Sequence, residues 1–296
     1  MAVNRGLGLC VILALVLPCT TALKFRPNGS FRIVQFTDLH YGDQITGNNV
    51  VNNATAYWDE LLQPTYLRNL SFATLFGNHD DNPFESSLSQ HGPANVPGVS
   101  NYVLEIEGSH GTVTPLFMFD TGGGTLPEVI TQAHVDWFRN ESARVAARNG
   151  NKTLPGMAFL HIPMPEFASV QPSSAAALRA RRGSATAPCF GMAQDGISPY
   201  TDNSTGLLDA MASAGSVHAA ITGHNHGNDW LCRHSNGMWL GFGRHSGYGG
   251  YGTWARGARV YELQAGKPGA TYTYVRMEDG SIEDAGVLEP TASVLQ

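Results

Sequence analysis

Short apolar runs, several of them ending in a polar cluster, recur along the chain and set its expected layout. Phe31-Arg32-Ile33-Val34-Gln35-Phe36 reads as a strand, and Ser71–Phe76, stopped by Gly77, reads as a second, buried one. Asn101–Glu107 and Pro115–Phe119 look like a strand pair, followed by the glycine turn Gly122-Gly123-Gly124. Met157–Leu160 and Val217–Ile221 add two more short strands, while Met238–Phe242, Ala258–Leu263 and Thr271–Met277 suggest a closing run of antiparallel strands. Tyr57–Leu70 has a helical pattern interrupted by Pro64. Pro127–Asn149 is the strongest helix, with Ala, Val, Trp and Phe at helical spacing. The Ser/Ala/Pro/Gly-rich segment Gln171–Asp202 predicts a long surface loop. No repeat or linker divides this pattern, which predicts an α/β layered sandwich.

Composition narrows the class. With 296 residues and 42% hydrophobic positions the chain can bury a sizeable core. Only 14% of residues are charged, and 34 Gly and 16 Pro argue for short elements joined by loops, against coiled coil or charged disorder. The net charge is −6, and Arg179-Ala180-Arg181-Arg182 is the only basic cluster, so nucleic acid is not an expected partner.

Residues 1–22 have the form of a signal peptide. Arg5 supplies the positive start, Leu7–Leu17 the apolar run, Pro18 the break, and Thr20 and Ala22 the small residues before a cleavage site. The run falls short of the roughly 20 residues a membrane span needs, so no stable span is expected once the signal is removed. Residues 23–296 would then form one domain in a secreted, endomembrane or vacuolar-lumen glycoprotein. Asn28, Asn53, Asn69, Asn140, Asn151 and Asn203 begin six glycosylation sequons in keeping with that route. Cys10 and Cys19 would leave with the signal, and the remaining Cys189 and Cys232 are expected to form a disulfide.

The chemistry gathers at strand ends. The first strand runs into Asp38-Leu39-His40, with Gly42-Asp43 directly after; the second runs into Gly77-Asn78-His79-Asp80. Two later strands run into His161 and into Gly223-His224-Asn225-His226. Taken singly, each cluster also fits a cap, a turn or a satisfied core histidine. Their common placement carries the inference, because open α/β sheets bind ligands beyond the carboxyl ends of their strands. Carboxylate, amide oxygen and imidazole together suit Zn, Fe or Mn rather than Ca.

These motifs resemble the calcineurin-like metallophosphoesterases. The phrases FRIVQFTDLHYG, DQITGNN, FGNHDD, HIPMPEF and GHNHGND are similar to a eukaryotic purple-acid-phosphatase-like branch, in the family's order, across about Phe31 to Val260. The resemblance implies a four-layered α/β/β/α sandwich with two divalent or trivalent metal ions (Fe, Zn or Mn) on one rim. It implies that Asp38, His40 and His226 hold one ion, that Asn78, His161 and His224 hold the other, and that Asp43 bridges them. His79 would be the catalytic group, contacting the phosphate or protonating the leaving oxygen. Two cations about 3.5–4 Å apart clamp a phosphate and acidify a water, so the implied activity is hydrolysis of phosphate monoesters.

Two departures stand out. Thr46 occupies the place of the iron-binding tyrosine of true purple acid phosphatases, so no tyrosinate colour is expected. Asp43 follows His40 by only three residues, whereas a parallel crossover takes a dozen or more. One βα crossover is therefore missing near residue 42, and a metallophosphoesterase-fold protein with an incomplete, non-catalytic site is the alternative. A zinc protease helix and a serine-hydrolase elbow are both absent.

Overall fold

The computed structural model describes residues 23–40, 62–75, 77, 89–123, 126–181, 184, 188–200 and 203–290. Residues 1–22, expected as a signal peptide, and Asn53, Asp43, Asn78 and His79 lie outside them. A mixed sheet and an antiparallel one form an α/β fold. The larger contains β1 (Leu23–Lys24), β3 (Tyr102–Glu107), β4 (Val113–Phe119), β5 (Gly156–Leu160), β6 (Cys189–Phe190), β7 (Val217–Thr222), β8 (Leu231–Arg233) and β9 (Trp239–Phe242), ordered β1-β3-β4-β5-β7-β9-β8-β6. The smaller contains β2 (Ser30–Gln35), β10 (Gly257–Gln264), β11 (Thr271–Met277) and β12 (Ile282–Leu288), ordered β12-β11-β10-β2.

The centre of the larger sheet is parallel, β4 to β5 to β7 to β9. Every residue of β5, β7 and β9 is buried, as strands covered on both faces require. Side-chain alternation divides them between two cores. Ala158 and Leu160 join Phe117, Phe119, Leu240 and Phe242 beneath the helices α2 (Gln132–Arg148) and α4 (Leu207–Ala214). Met157 and Phe159 face the other way, with Ile221 and Trp239, against Tyr261, Leu263 and Leu288 of the smaller sheet. Helices, larger sheet and smaller sheet thus stack in that order.

Several boundaries differ from the sequence expectation. Helix α2 begins at Gln132, five residues late, because Thr131 forms the N-cap and His134 closes a capping box onto it. The expected loop 171–202 contains α3 (Ala175–Arg181) and β6. Its β6 pairs with β8 in a register that sets Cys189 opposite Cys232, and the two form the expected disulfide. Strand β9 does not belong to the closing antiparallel run; it lies parallel to β7 in the other sheet. Residues 62–67 (α1) are helical, within the expected 57–70.

The clearest correction concerns residues 71–75, expected as a strand. They form no ladder, although Ala73 and Leu75 still pack on the inter-sheet core. Thr74 is held instead by side chains: its carbonyl accepts the Tyr102 hydroxyl at 2.5 Å and its N–H donates to Ser89 Oγ at 2.8 Å. Strand propensity becomes a strand only beside a free edge. Among the described residues β2 pairs with β10 alone, and beside that edge Val34 and Phe36 are 45% and 62% exposed.

The sheets are joined at the far end from the site by His218 of β7, whose Nε2 lies 2.9 Å from Thr271 Oγ1 of β11. Burial pushes this imidazole down to about 4, against about 6.5 in an unfolded chain. Folding therefore excludes its charged form: the stability it contributes is complete above about pH 6.5 and is lost as pH falls towards 4. At 1.36 kcal/mol per pH unit the loss is about 3 kcal/mol. Urea unfolding at pH 7 and pH 4 should show His218→Gln declining less than wild type by about that amount.

Candidate metal centre

Parallel strands deliver their carboxyl ends to one rim. Leu160 of β5 stands beside Phe119 of β4, and Thr222 of β7 beside Phe242 of β9. The next residues are His161, then Gly223-His224-Asn225-His226, then Arg244-His245. Strand β2 comes from the other sheet, yet Thr37 just beyond it bridges His245 in parallel. Ser246 N–H donates to Thr37 O at 3.0 Å, and Thr37 N–H donates to Ser246 Oγ at 3.2 Å. This junction carries Asp38 and His40 to the same rim.

Of the expected site residues, Asp38, His40, His161, His224 and His226 come together there. Asp38, His40 and His226 each offer a donor atom, all within 4.8 Å of one another. His40 Nε2 lies 3.1 Å from His226 Nε2, and Asp38 Oδ1 lies 3.7 Å from His226 Nε2 and 4.0 Å from His161 Nε2. The His161 and His224 rings stand 5.3 Å apart. Asp43, Asn78 and His79 lie outside the described residues. Gly77 places the start of their motif: a Cβ built there would lie 3.1 Å from the His161 ring.

The backbone is strained where these groups converge. Asp38, His40 and His224 have φ of +53°, +42° and +74°, a region costing about 1–2 kcal/mol for a residue with a Cβ. Asp38 is held by the His224 N–H, which donates to Oδ1 at 2.8 Å, and by the Thr37 hydroxyl, which donates to Oδ2 at 3.0 Å. Gly223 permits this close approach, since a Cβ there would stand 2.0 Å from Thr37 Oγ1.

Charge follows from the same contacts. Burial opposes ionisation of Asp38, but His161, His226, the His224 N–H and the Thr37 hydroxyl together hold its carboxyl below the usual range. Burial pushes His226 down, only partly countered by Asp38. Asp38 is the carboxylate of the cluster, with the imidazoles of His40, His161 and His226 around it. His226 Nδ1 lies 2.9 Å from the Tyr251 carbonyl, which can only accept, so Nδ1 carries the proton and Nε2 the lone pair. Two nitrogens at 3.1 Å match neighbouring ligands of one ion, whose N–N edge at bond lengths of about 2.0–2.1 Å is roughly 3 Å. The donor set fits a metal ion.

No family model matches the chain. Curated proteins do. Probable inactive purple acid phosphatase 29 of Arabidopsis thaliana is 25% identical over 374 residues, covering 95% of this chain and 92% of that protein. Probable inactive purple acid phosphatase 28 of the same plant is 25% identical over 335 residues, covering 86% and 80%. Phosphatase DCR2 of Saccharomyces cerevisiae is 26% identical, covering 84% of this chain and 48% of that protein. The relatives are purple-acid-phosphatase-like proteins of the calcineurin-like metallophosphoesterase superfamily. Two of the matched spans exceed the chain's own 296 residues, so those phosphatase-like relatives carry residues that this chain lacks.

Sequence reasoning about this metallophosphoesterase-like site missed the segment after β9. His245, fully buried, packs its ring 3.9 Å from that of His226, and Arg256 Nη1 donates to its Nδ1 at 3.0 Å. Its pKa is held well down by burial, His226 and Arg256. Tyr251 stacks on His226 at 4.1 Å. The only sequence signal was the run Gly247-Tyr248-Gly249-Gly250-Tyr251-Gly252, which marks a tight loop and names no chemistry. Gly250 (φ +71°) rests directly on the histidine pair: a Cβ there would lie 2.5 Å from His226 Cε1 and 2.9 Å from His40 Cδ2. Gly250→Ala should therefore weaken metal uptake at least tenfold while lowering unfolding stability by only about 1–2 kcal/mol. Zn²⁺ titration beside urea unfolding of the same variant checks both.

Proposed function

We propose that the chain is a metal-dependent phosphoesterase that hydrolyses phosphate monoesters at a dinuclear centre. The observation that carries this reading is the set of Asp38, partly buried His40 and buried His226, with two imidazole nitrogens 3.1 Å apart beside a carboxylate held in its charged form. Asp38, His40 and His226 would hold one ion; His161, His224 and Asn78 would hold a second, with Asp43 between them. Fe, Zn or Mn suits this donor set. Bound there, the ions would offset phosphate charge and lower the pKa of a water molecule.

The protein's own groups set the stage for that chemistry. Asp38 brings the single negative charge, and its hydrogen bonds to the His224 N–H and the Thr37 hydroxyl fix its direction. Neutral His226 presents Nε2 because its Nδ1–H donates a hydrogen bond to the Tyr251 carbonyl. His79 would contact the phosphate or protonate the leaving oxygen. The route proposed for the chain is secretory: residues 1–22 act as a signal peptide and the domain resides outside the cell or in an endomembrane lumen. Among the described sequons Asn28, Asn69, Asn140, Asn151 and Asn203 are all exposed, as glycosylation there requires. No helix among the described residues is long and apolar enough to cross a membrane.

A second reading is favoured by specific observations: a metallophosphoesterase fold with an incomplete, non-catalytic site. Asp43 follows His40 by three residues, residues 71–75 lack a ladder, and two Arabidopsis relatives carry "probable inactive" in their names. Metal stoichiometry separates the two. Two ions per chain with turnover of p-nitrophenyl phosphate supports the enzyme; one ion or none, without turnover, supports the alternative. In an active protein His79→Ala should keep its metal and lose about 10²–10⁴-fold in rate. Loss of metal from that variant would make His79 a ligand instead.

A further inference from the structure

Tyr251 meets His226 through three separate groups. Its carbonyl oxygen accepts from His226 Nδ1 at 2.9 Å, its hydroxyl oxygen accepts from the His226 backbone N–H at 3.0 Å, and its ring stacks on the imidazole at 4.1 Å and 16°. The hydroxyl proton then goes to Asp195 Oδ2. Asp195 is itself tied to the histidine loop, accepting the Gly227 N–H on the same oxygen at 3.3 Å. A residue 25 positions away in sequence thus grips both backbone and ring of one imidazole, although it is 47% exposed. Packing against a core does not account for a side chain so exposed and so fully engaged.

We propose that Tyr251 is a positioning residue for His226: it fixes the Nδ1–H tautomer, aims Nε2 at the ion and is itself anchored by Asp195. The proposal rests on the metal-site reading of His226. A carbonyl acceptor on the outer nitrogen excludes the wrong tautomer and raises the basicity of the ligating one. Stacking at 16° stops rotation about the ring's own axis. The hydroxyl pins the backbone at the left-handed His224 turn, two residues earlier.

The test uses the full chain and Zn²⁺ alone as probe, in calorimetric titrations of wild type, Tyr251→Ala, Tyr251→Phe, Asp195→Asn and His226→Ala. Tyr251→Ala should weaken Zn²⁺ binding about 10–100-fold, while thermal unfolding of the metal-free protein stays near wild type. Every Tyr251 variant keeps the backbone carbonyl; Tyr251→Phe, which also keeps the ring, and Asp195→Asn should each show a smaller loss. With the ring and hydroxyl no longer holding the imidazole against that carbonyl, ¹⁵N spectra of the metal-free protein should show a mixture of tautomers in Tyr251→Ala, against His226 protonated at Nδ1 in wild type. Zn²⁺ affinity and tautomer unchanged in Tyr251→Ala overturn the proposal. Should that variant fail to fold, unchanged affinity in both Tyr251→Phe and Asp195→Asn overturns it equally. A wild type that binds Zn²⁺ no better than His226→Ala defeats the metal reading itself, and the tautomer spectra then decide Tyr251's hold on the ring separately.

Discussion

Everything at this rim depends on the short parallel contact between Thr37 and His245. The smaller sheet ends there and the larger sheet ends beside it, so residues separated by most of the chain share one rim. The contact is reinforced from β10, where fully buried Arg259 donates to the Asp229 and Phe242 carbonyls of the larger sheet. Asp229 also takes Arg244 Nη1 at 2.5 Å, close to both His226 and His245 in sequence. Buried ions are costly unless fully paired. Here the pairing fixes the relative position of the sheets, a requirement that an apolar contact would meet less specifically.

With the junction fixed, the site is held in a state it would not adopt alone. Three site residues take left-handed backbone, one carboxylate is buried, and two imidazole nitrogens face each other at 3.1 Å. Such strain is tolerated where the surroundings over-determine it. The buried Asp38 carboxylate sits among histidine rings, a setting that suits a bound cation.

The same frame makes the shortened connection after His40 consequential. Relatives match over spans longer than this chain; among the described residues β2 has one partner, and residues 71–75 keep their apolar packing without a ladder. The inter-sheet core therefore survives without one pairing, because Ala73 and Leu75 need only a face to pack on while backbone groups need a neighbouring edge. Thr74 satisfies those groups through Tyr102 and Ser89.

How much was legible follows from the range of each interaction. Sequence alone determined the α/β class, the buried strands β4, β5 and β7, helix α2, the cysteine pair and the polar clusters at strand ends, because local periodicity and short motifs carry them. It misassigned β9 to the closing antiparallel run, since an apolar stretch does not name its neighbour. It read residues 71–76 as a strand because propensity cannot show that an edge is lacking. Tyr251, Asp195 and His245 left no signal beyond a glycine-rich run and an isolated acid and histidine. Their roles arise from carbonyls, rings and hydroxyls brought within hydrogen-bond reach by the meeting of two sheets. Only the tertiary structure decided that, because pairing between distant segments is set by the summed burial of the whole core rather than by any residue's own preference.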